Sequence, residues 1–358
     1  MKYDFLIVGQ GISGTVLGLL LKQYNKSFLI IDKNDLITSS KVAAGLMHPM
    51  SFKRCVLNWD GDKFYDYSCQ FYKSCNKLFL KDVFKELKLT RLFSSYEEQN
   101  NWLSKAFAKP YNTILSPKEE ELPNLLNEFG NGSLLKSAKL DVKKFLSEAK
   151  DLFNSTKSFK EKAFELEDLS YVKNEFYYEN NQFKHLVLCQ GTSLNIFNYL
   201  PLIPNKGELL TVYSKFLPKH IISKGVFTMP LSNNQYTVGA TYNHRDKNHK
   251  ITKESKDKLL ANLSKIIPIE NIKVKNQTYG FRPTTLDRKP FLGEHPVIKN
   301  AYIFNGMGSK SVLMAPLLGK HLLDHILFNK KIPDLVDIKR YENYFTVHEK
   351  EIYHKLVT

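Results

Sequence analysis

The chain is poor in cysteine. Cys55, Cys69, Cys75 and Cys189 are the only four in 358 residues, and no two of them form a CxxC pair. That excludes a disulfide-stapled scaffold and a thiolate zinc site, and it points to a reducing compartment. Arginine is scarcer still relative to lysine: of 52 Lys and Arg only six are arginine, at 54, 91, 245, 282, 288 and 340. Arginine is the side chain that reads phosphate with two parallel hydrogen bonds. A net charge of +16 carried mostly by lysine therefore fits a solubilising surface as readily as an anionic partner. No apolar run reaches the length of a membrane span, and there is no internal repeat. With 42% hydrophobic residues the chain is too apolar to remain disordered, and it is long enough for one large domain or two interleaved ones.

What is present begins at the amino terminus. The run MKYDFLIVGQGISGTVLGLLLKQYNKSFLIIDK superficially fits a signal peptide, but Asp4 is acidic and Gly9, Gly11 and Gly14 interrupt the apolar stretch. The pattern predicts a buried strand over 3–8, a helix from Ser13 to about Tyr24, and a second strand over 27–31 ending at Asp32. Strand, GxGxxG, helix, strand and acid in that order are the parts of a dinucleotide site. Gly9 allows the tight turn, Gly11 lets a pyrophosphate approach the backbone, and Gly14 lets helix and strand pack closely. The N–H groups of Ile12 and Ser13 and the positive end of the helix dipole then face the phosphates. The Asp32 carboxylate, with Lys33 beside it, accepts from ribose hydroxyls and repels a 2′-phosphate, which disfavours NADP. NAD and FAD both remain open at this point.

Further motifs follow. SSKVAAGLMHP over 39–49 is rich in small residues and lets backbone run flat beside a planar ring. Short β-rich runs over 162–190 fit a small meander, and an apolar strand from Phe183 ends in a turn at Gly191. Lys206-Gly207-Glu208 opens another strand, and 236–242 reads as a strand lined with small residues. Near the carboxyl end stand YGFRPTTLDRKPFLG over 279–293 and NGMGSKS over 305–311, before a predicted helix over 312–327. Phe64, Tyr65, Tyr67, Phe71 and Tyr72 are spaced as the core face of a helix.

Jointly, these motifs resemble the D-amino-acid oxidase superfamily of flavoproteins, which includes glycine and sarcosine oxidases, over segments from residue 3 to about 327. The NGMGSK turn is similar to that in the oxidase domain of the bacterial enzyme that modifies wobble uridine in tRNA. The resemblance implies an α/β fold: a Rossmann-like FAD-binding domain (1–50, 137–205, 276–330) interleaved with an α+β substrate domain built on an antiparallel sheet (51–136, 206–275). It leaves 331–358 as a polar, aromatic C-terminal surface extension. The cofactor it implies is FAD, held without a covalent bond: Lys41 and Val42 stand where some relatives carry a linking histidine, and no cysteine follows Cys189. Expected FAD contacts are Gly9, Gly11, Ile12, Ser13, Gly14, Asp32, Lys33, Ser39, Ser40, Ala43, Ala44, Gly45, Leu46, Gly191 and the turn of Gly306, Met307, Gly308, Ser309, Lys310 and Ser311.

For chemistry, the resemblance makes Arg282 the clamp on a substrate carboxylate. The alternative is an ion pair with an acid such as Asp287. Lys310 either adds positive charge near reduced flavin or points to water. His48 either faces substrate or is structural, and Tyr242 either walls the site or sits half-buried. Lys53, Arg54 and Trp59 are placed to meet a polar substrate tail. No metal is expected. The leading reading is oxidation of the C–N bond of an amino acid or N-substituted glycine, by hydride transfer to flavin N5 and hydrolysis of the imine, in the cytoplasm. One alternative is removal of a carboxymethyl group from a modified tRNA wobble uridine. Another is a flavin-binding protein without turnover. Segment 206–258 sharpens the tRNA alternative, with ten Lys and Arg against four acids.

Overall fold

In the computed structural model, which describes residues 1–33, 35 and 37–345, the glycine-punctuated amino terminus forms a strand, a helix and a second strand. Strand β1 (Lys2–Val8) buries Phe5, Leu6 and Ile7 completely, so it lies inside a sheet rather than at its edge. Helix α1 (Ile12–Gln23) is apolar on nearly all sides, with every residue from Val16 to Leu21 buried, as a helix covered on both flanks must be. Strand β2 (Phe28–Asp32) runs parallel to β1 in the register Phe5↔Phe28 to Val8↔Ile31. On the other side of β1 lies Asn181–Leu188, also parallel, followed by Ala301–Asn305 along its second half. Phe159–Glu161 closes the far edge beside β2. Leu169–Val172, Glu175–Tyr178 and Asn181–Leu188 form an antiparallel meander, so one strand serves both the meander and the parallel core. This is the Rossmann-like α/β architecture.

The chain falls into two compact units. The first comprises Met1–Ala43, Val142–Asn205 and the chain from Phe281 onward; the second comprises Ala44–Asp141 and Lys206–Gly280. The first boundary lies before the expected residue 50, and the second lies after residue 137. The reason is a three-stranded sheet in which Ala138–Leu140 pairs with both Leu46–Met47 and Phe84–Glu86. The second unit is otherwise built on a sheet that runs, in order, through the parts of Lys273–Thr285 and Leu202–Tyr213 that belong to it, then Gln235–Gly239, Val226–Pro230, Ile221–Lys224, Leu89–Leu92, Asn131–Leu134 and Leu115–Ser116. From Leu202–Tyr213 to Leu115–Ser116 the pairs are antiparallel except that Ile221–Lys224 runs parallel to Leu89–Leu92. Helix Gly61–Phe79 buries Phe64, Tyr65, Phe71 and Tyr72 on one face.

The carboxyl-terminal stretch, expected as a surface extension, is anchored by its apolar residues. Its described part packs Ile332, Val336, Ile338 and Tyr341 at no more than 6% exposure, and Ile338 and Tyr341 join the core of the first unit. Lys331, Asp334, Lys339, Glu342 and Asn343 remain exposed, whereas Arg340 is paired with Asp287. Residues 346–358 lie outside the described residues. All four cysteines are buried and form no disulfide. No helix among the described residues is long and apolar enough to cross a membrane.

Candidate functional site

The amino-terminal cradle is assembled from three separated segments. At Gly14 a Cβ would run into the Gly9 carbonyl oxygen, so only glycine lets α1 start this close to the preceding turn. The backbone N–H of Gln10 donates to Asp32 Oδ2 at 2.7 Å, and the Gln10 side chain donates to the Leu146 carbonyl at 2.9 Å. Ser40 Oγ accepts from the N–H of Ile12 at 3.1 Å, which ties the short helix Ser39–Val42 to the start of α1. The N–H groups of Ser13 and Gly14 have no acceptor among the described residues, and the first turn of α1 carries no acid. Unsatisfied donors at a helix start, without a competing carboxylate, are what a pyrophosphate requires. Lys33 turns away to Asp35, 2.9 Å distant, and its side chain is 62% exposed. Ala43 belongs to the first unit, whereas Ala44, Gly45 and Leu46 belong to the second.

A second cluster forms at the carboxyl-terminal turn. Buried Asn305 donates to the Gly191 carbonyl at 2.7 Å and accepts from the N–H of Gly306 at 2.8 Å, joining two glycine turns that are distant in sequence. Gly306 has φ +78°, and a Cβ there would sit 2.6 Å from Thr285 Cγ2, so the turn rests directly on the TTLDR segment. Thr284 Oγ1 hydrogen-bonds the Ile203 carbonyl. Met307 is buried and Ser309 is exposed, while Lys310 and Ser311 are half-buried where helix Ser311–Phe328 begins. Burial, and then repulsion from Lys289, lowers the Lys310 ammonium to about 8.

That shift carries a sign. A lysine whose pKa is lower folded than unfolded destabilises the fold while it is charged, and stability recovers as pH rises from about 8 towards the unfolded value. Lys310→Met is expected to raise the melting temperature at pH 7 and to flatten its rise between pH 8 and 10. Melting curves across that range test it, and a slope parallel to that of the parent protein would remove the shift.

Arg282 is half-buried and donates through Nη1 to the Asn205 side-chain oxygen at 3.3 Å. Its expected alternative partner, Asp287, has another cation: Arg340 Nε lies 2.7 Å from Asp287 Oδ2. Burial alone would raise the Asp287 carboxyl, but Arg340 and the Lys289 N–H outweigh it and hold the group below its ordinary value. In the second unit His48 is half-buried and stacks on Phe52 at 4.8 Å. Tyr242 lies past the end of the strand Gln235–Gly239 and is 59% exposed, which sets aside the half-buried alternative. Lys53 and Arg54 are exposed, and Trp59 meets Phe64 edge-on. Lys206 belongs to a buried network, not to a basic face. Its ammonium lies 2.6 Å from Asp246 and 3.7 Å from Glu208, and Glu208 accepts from Thr252 and Gln277. Arg245, Lys247 and Lys250 of the same segment are exposed.

Gln10, Asn205, Asn305 and Arg340 were not among the expected site residues. Gln10 and Asn305 lie inside motifs already singled out, so position alone flagged them. Asn205 and Arg340 reach their partners across 77 and 53 residues and carry no local signal.

The cradle fits FAD: donors for a pyrophosphate at α1, a carboxylate at the end of β2, and a second glycine turn bound through Asn305 to Gly191. The family of FAD dependent oxidoreductases matches residues 4–325, and the chain belongs to it. It is therefore an FAD-dependent oxidoreductase. Among curated proteins it is similar to the glycine oxidase of Bacillus subtilis, 28% identical over 156 residues, covering 41% of this chain and 42% of that one. It is also similar to the tRNA 5-methylaminomethyl-2-thiouridine biosynthesis bifunctional protein MnmC of Marinobacter nauticus, 29% identical over 148 residues, covering 37% of this chain and 24% of that one. The chain spans less than half the length of the curated relatives it matches. Among solved structures, glycine oxidase from Geobacillus kaustophilus superposes with a TM-score of 0.78 at 19% identity, over 95% of this chain and 98% of that one. Iminodiacetate oxidase from Chelativorans sp. BNC1 superposes with a TM-score of 0.76 at 16% identity, over 94% and 98%. At those identities the likeness is one of fold.

Proposed function

We propose that this enzyme oxidises the C–N bond of a small amino acid or N-substituted glycine. The observation that carries the reading is Arg282, half-buried and held in place by buried Asn205 at 3.3 Å. A guanidinium presents a planar fork of donors that can hold a carboxylate and fix its rotation. Bound FAD supplies a two-electron acceptor for the hydride on the carbon that bears the amine. Arg282 holds the carboxylate end, so that carbon and the amine keep one orientation. Near its pKa of about 8, Lys310 exists in both charged and neutral forms at the carboxyl-terminal turn. Loss of that hydride from a neutral amine leaves an iminium ion, which takes up water and splits into a carbonyl compound and a protonated amine. Relatives named glycine oxidase and iminodiacetate oxidase favour a substrate of the glycine type. The same reading takes the enzyme as cytoplasmic, in keeping with four cysteines that form no disulfide. Anaerobic mixing of the holoenzyme with glycine, sarcosine, iminodiacetate and D-amino acids tests it. Bleaching of the flavin band by one of them supports the reading, and no bleaching by any of them defeats it.

A second reading, a carboxymethylated base on tRNA, is favoured by the exposed Arg245, Lys247 and Lys250 and by the likeness to the tRNA-modifying protein. It predicts retention of tRNA that weakens steeply with salt. Salt-independent or absent retention counts against it.

A further inference from the structure

Arg340 lies outside every motif assigned to the site, yet it makes a dense set of contacts there. It is carried by the 3₁₀ segment Ile338–Tyr344. Its Nε donates to Asp287 Oδ2 at 2.7 Å, and its Nη2 donates to the carbonyls of Lys289 and Pro290 at 3.0 and 2.9 Å. Its Nη1 reaches back to the Asp337 carbonyl at 2.9 Å, while the guanidinium carbon lies 5.4 Å from the Phe291 ring centre and 4.7 Å from that of Tyr341. One planar cation thus grips a whole turn by its carboxylate, two of its carbonyls and the ring that follows it.

That turn is the support of the carboxyl-terminal glycine turn. Thr285 and Phe291 are the two residues a Cβ at Gly306 would meet, at 2.6 and 3.3 Å. Thr285 Oγ1 lies 2.8 Å from the Lys289 carbonyl and 3.1 Å from Asp287 Oδ1, so the turn is closed on itself and on Arg340 together. We propose that Arg340 is a positioning residue for the flavin site: it holds the Thr285–Phe291 turn against Gly306, and with it the location of Lys289 relative to Lys310. The described part of the carboxyl-terminal segment is then a working component of the site, although Arg340 reaches it only through the turn. The inference rests on taking the Gly306–Lys310 turn as a cofactor contact.

The test uses holoenzyme of Arg340→Ala, Arg340→Lys and Asp287→Asn, with FAD release on dilution measured by ultrafiltration at a temperature where each variant is folded. Arg340→Ala is expected to weaken FAD retention by about tenfold or more, as loss of a supporting shell does at other bound groups. Asp287→Asn should weaken it less, and Arg340→Lys should recover only part, since lysine cannot reproduce the planar fork. Guanidinium ion at a sub-denaturing concentration should restore retention to Arg340→Ala and leave the parent unchanged. A residue that merely stabilised the fold would lower the melting temperature and leave FAD release alone. Release within about twofold of the parent in both Arg340→Ala and Asp287→Asn would overturn the proposal. If Arg340→Ala fails to fold, Asp287→Asn decides alone, because it keeps the guanidinium and its stacking. FAD release is read without any substrate, so failure of the amine-oxidation reading in the bleaching assay leaves this outcome intact.

Discussion

Gly14→Ala should purify as a colourless protein. The new methyl group would occupy the space of the Gly9 carbonyl oxygen, and because that atom is backbone the clash cannot be relieved by turning a side chain. Helix α1 must move away from the turn, taking with it the N–H groups of Ser13 and Gly14 that are offered to the pyrophosphate. Overpacking of this kind costs about 1–3 kcal/mol. Expressed in cofactor binding, that is about five- to 150-fold in affinity. The visible spectrum of the purified variant checks the result, with far-UV circular dichroism showing that it is folded. A yellow variant that keeps its FAD through gel filtration would remove the phosphates from the start of α1.

Replacement of Arg282 by methionine should strike carboxylate substrates selectively. The pair of a guanidinium and a carboxylate in a desolvated site is worth about 2–5 kcal/mol on truncation of one partner. The expected fall in kcat/KM is therefore between about thirtyfold and several thousandfold. The loss should be largest for glycine-type substrates and small for amines that lack a carboxylate. Asn205→Ala should move in the same direction with a smaller effect, because it removes the 3.3 Å contact and leaves the charge. Unchanged kinetics in the Arg282 variant, measured with the same substrate panel, would take Arg282 out of the site.

How much of this was legible in the sequence follows from the range of each interaction. β1, α1 and β2 differ from the expected bounds by about one residue at each end, because the glycine spacing and apolar runs are local. The motif around Arg282 and the turn at Gly306 were equally visible, yet their contact through Thr285 was not, since nothing local encodes it. Residues 331–345 keep an exposed polar side, and the burial of their apolar residues has a definite cause. Asp337 and Arg340 look like surface charge, but Arg340 is neutralised by Asp287 and stacked on Phe291, which lets Ile338 and Tyr341 enter the core. Lys206 behaves in the same way: it lies in the basic segment, yet its ammonium is enclosed with Asp246 and Glu208. In both places a charge far along the chain cancels one that composition counts as exposed.

The burial of all four thiols has a practical consequence for following how the chain opens. Burial raises Cys69 to about 11 and Cys75 to about 12, and it raises Cys55 and Cys189 as well, so scarcely any thiolate exists on the folded molecule near neutral pH. Alkylating reagents and peroxide should then reach sulfur only when the chain opens. The rate of thiol labelling becomes a clock for that opening, read separately at Cys189 for the first unit and at Cys55, Cys69 and Cys75 for the second. If FAD stabilises only the unit that cradles it, its binding should slow the first clock and leave the second running.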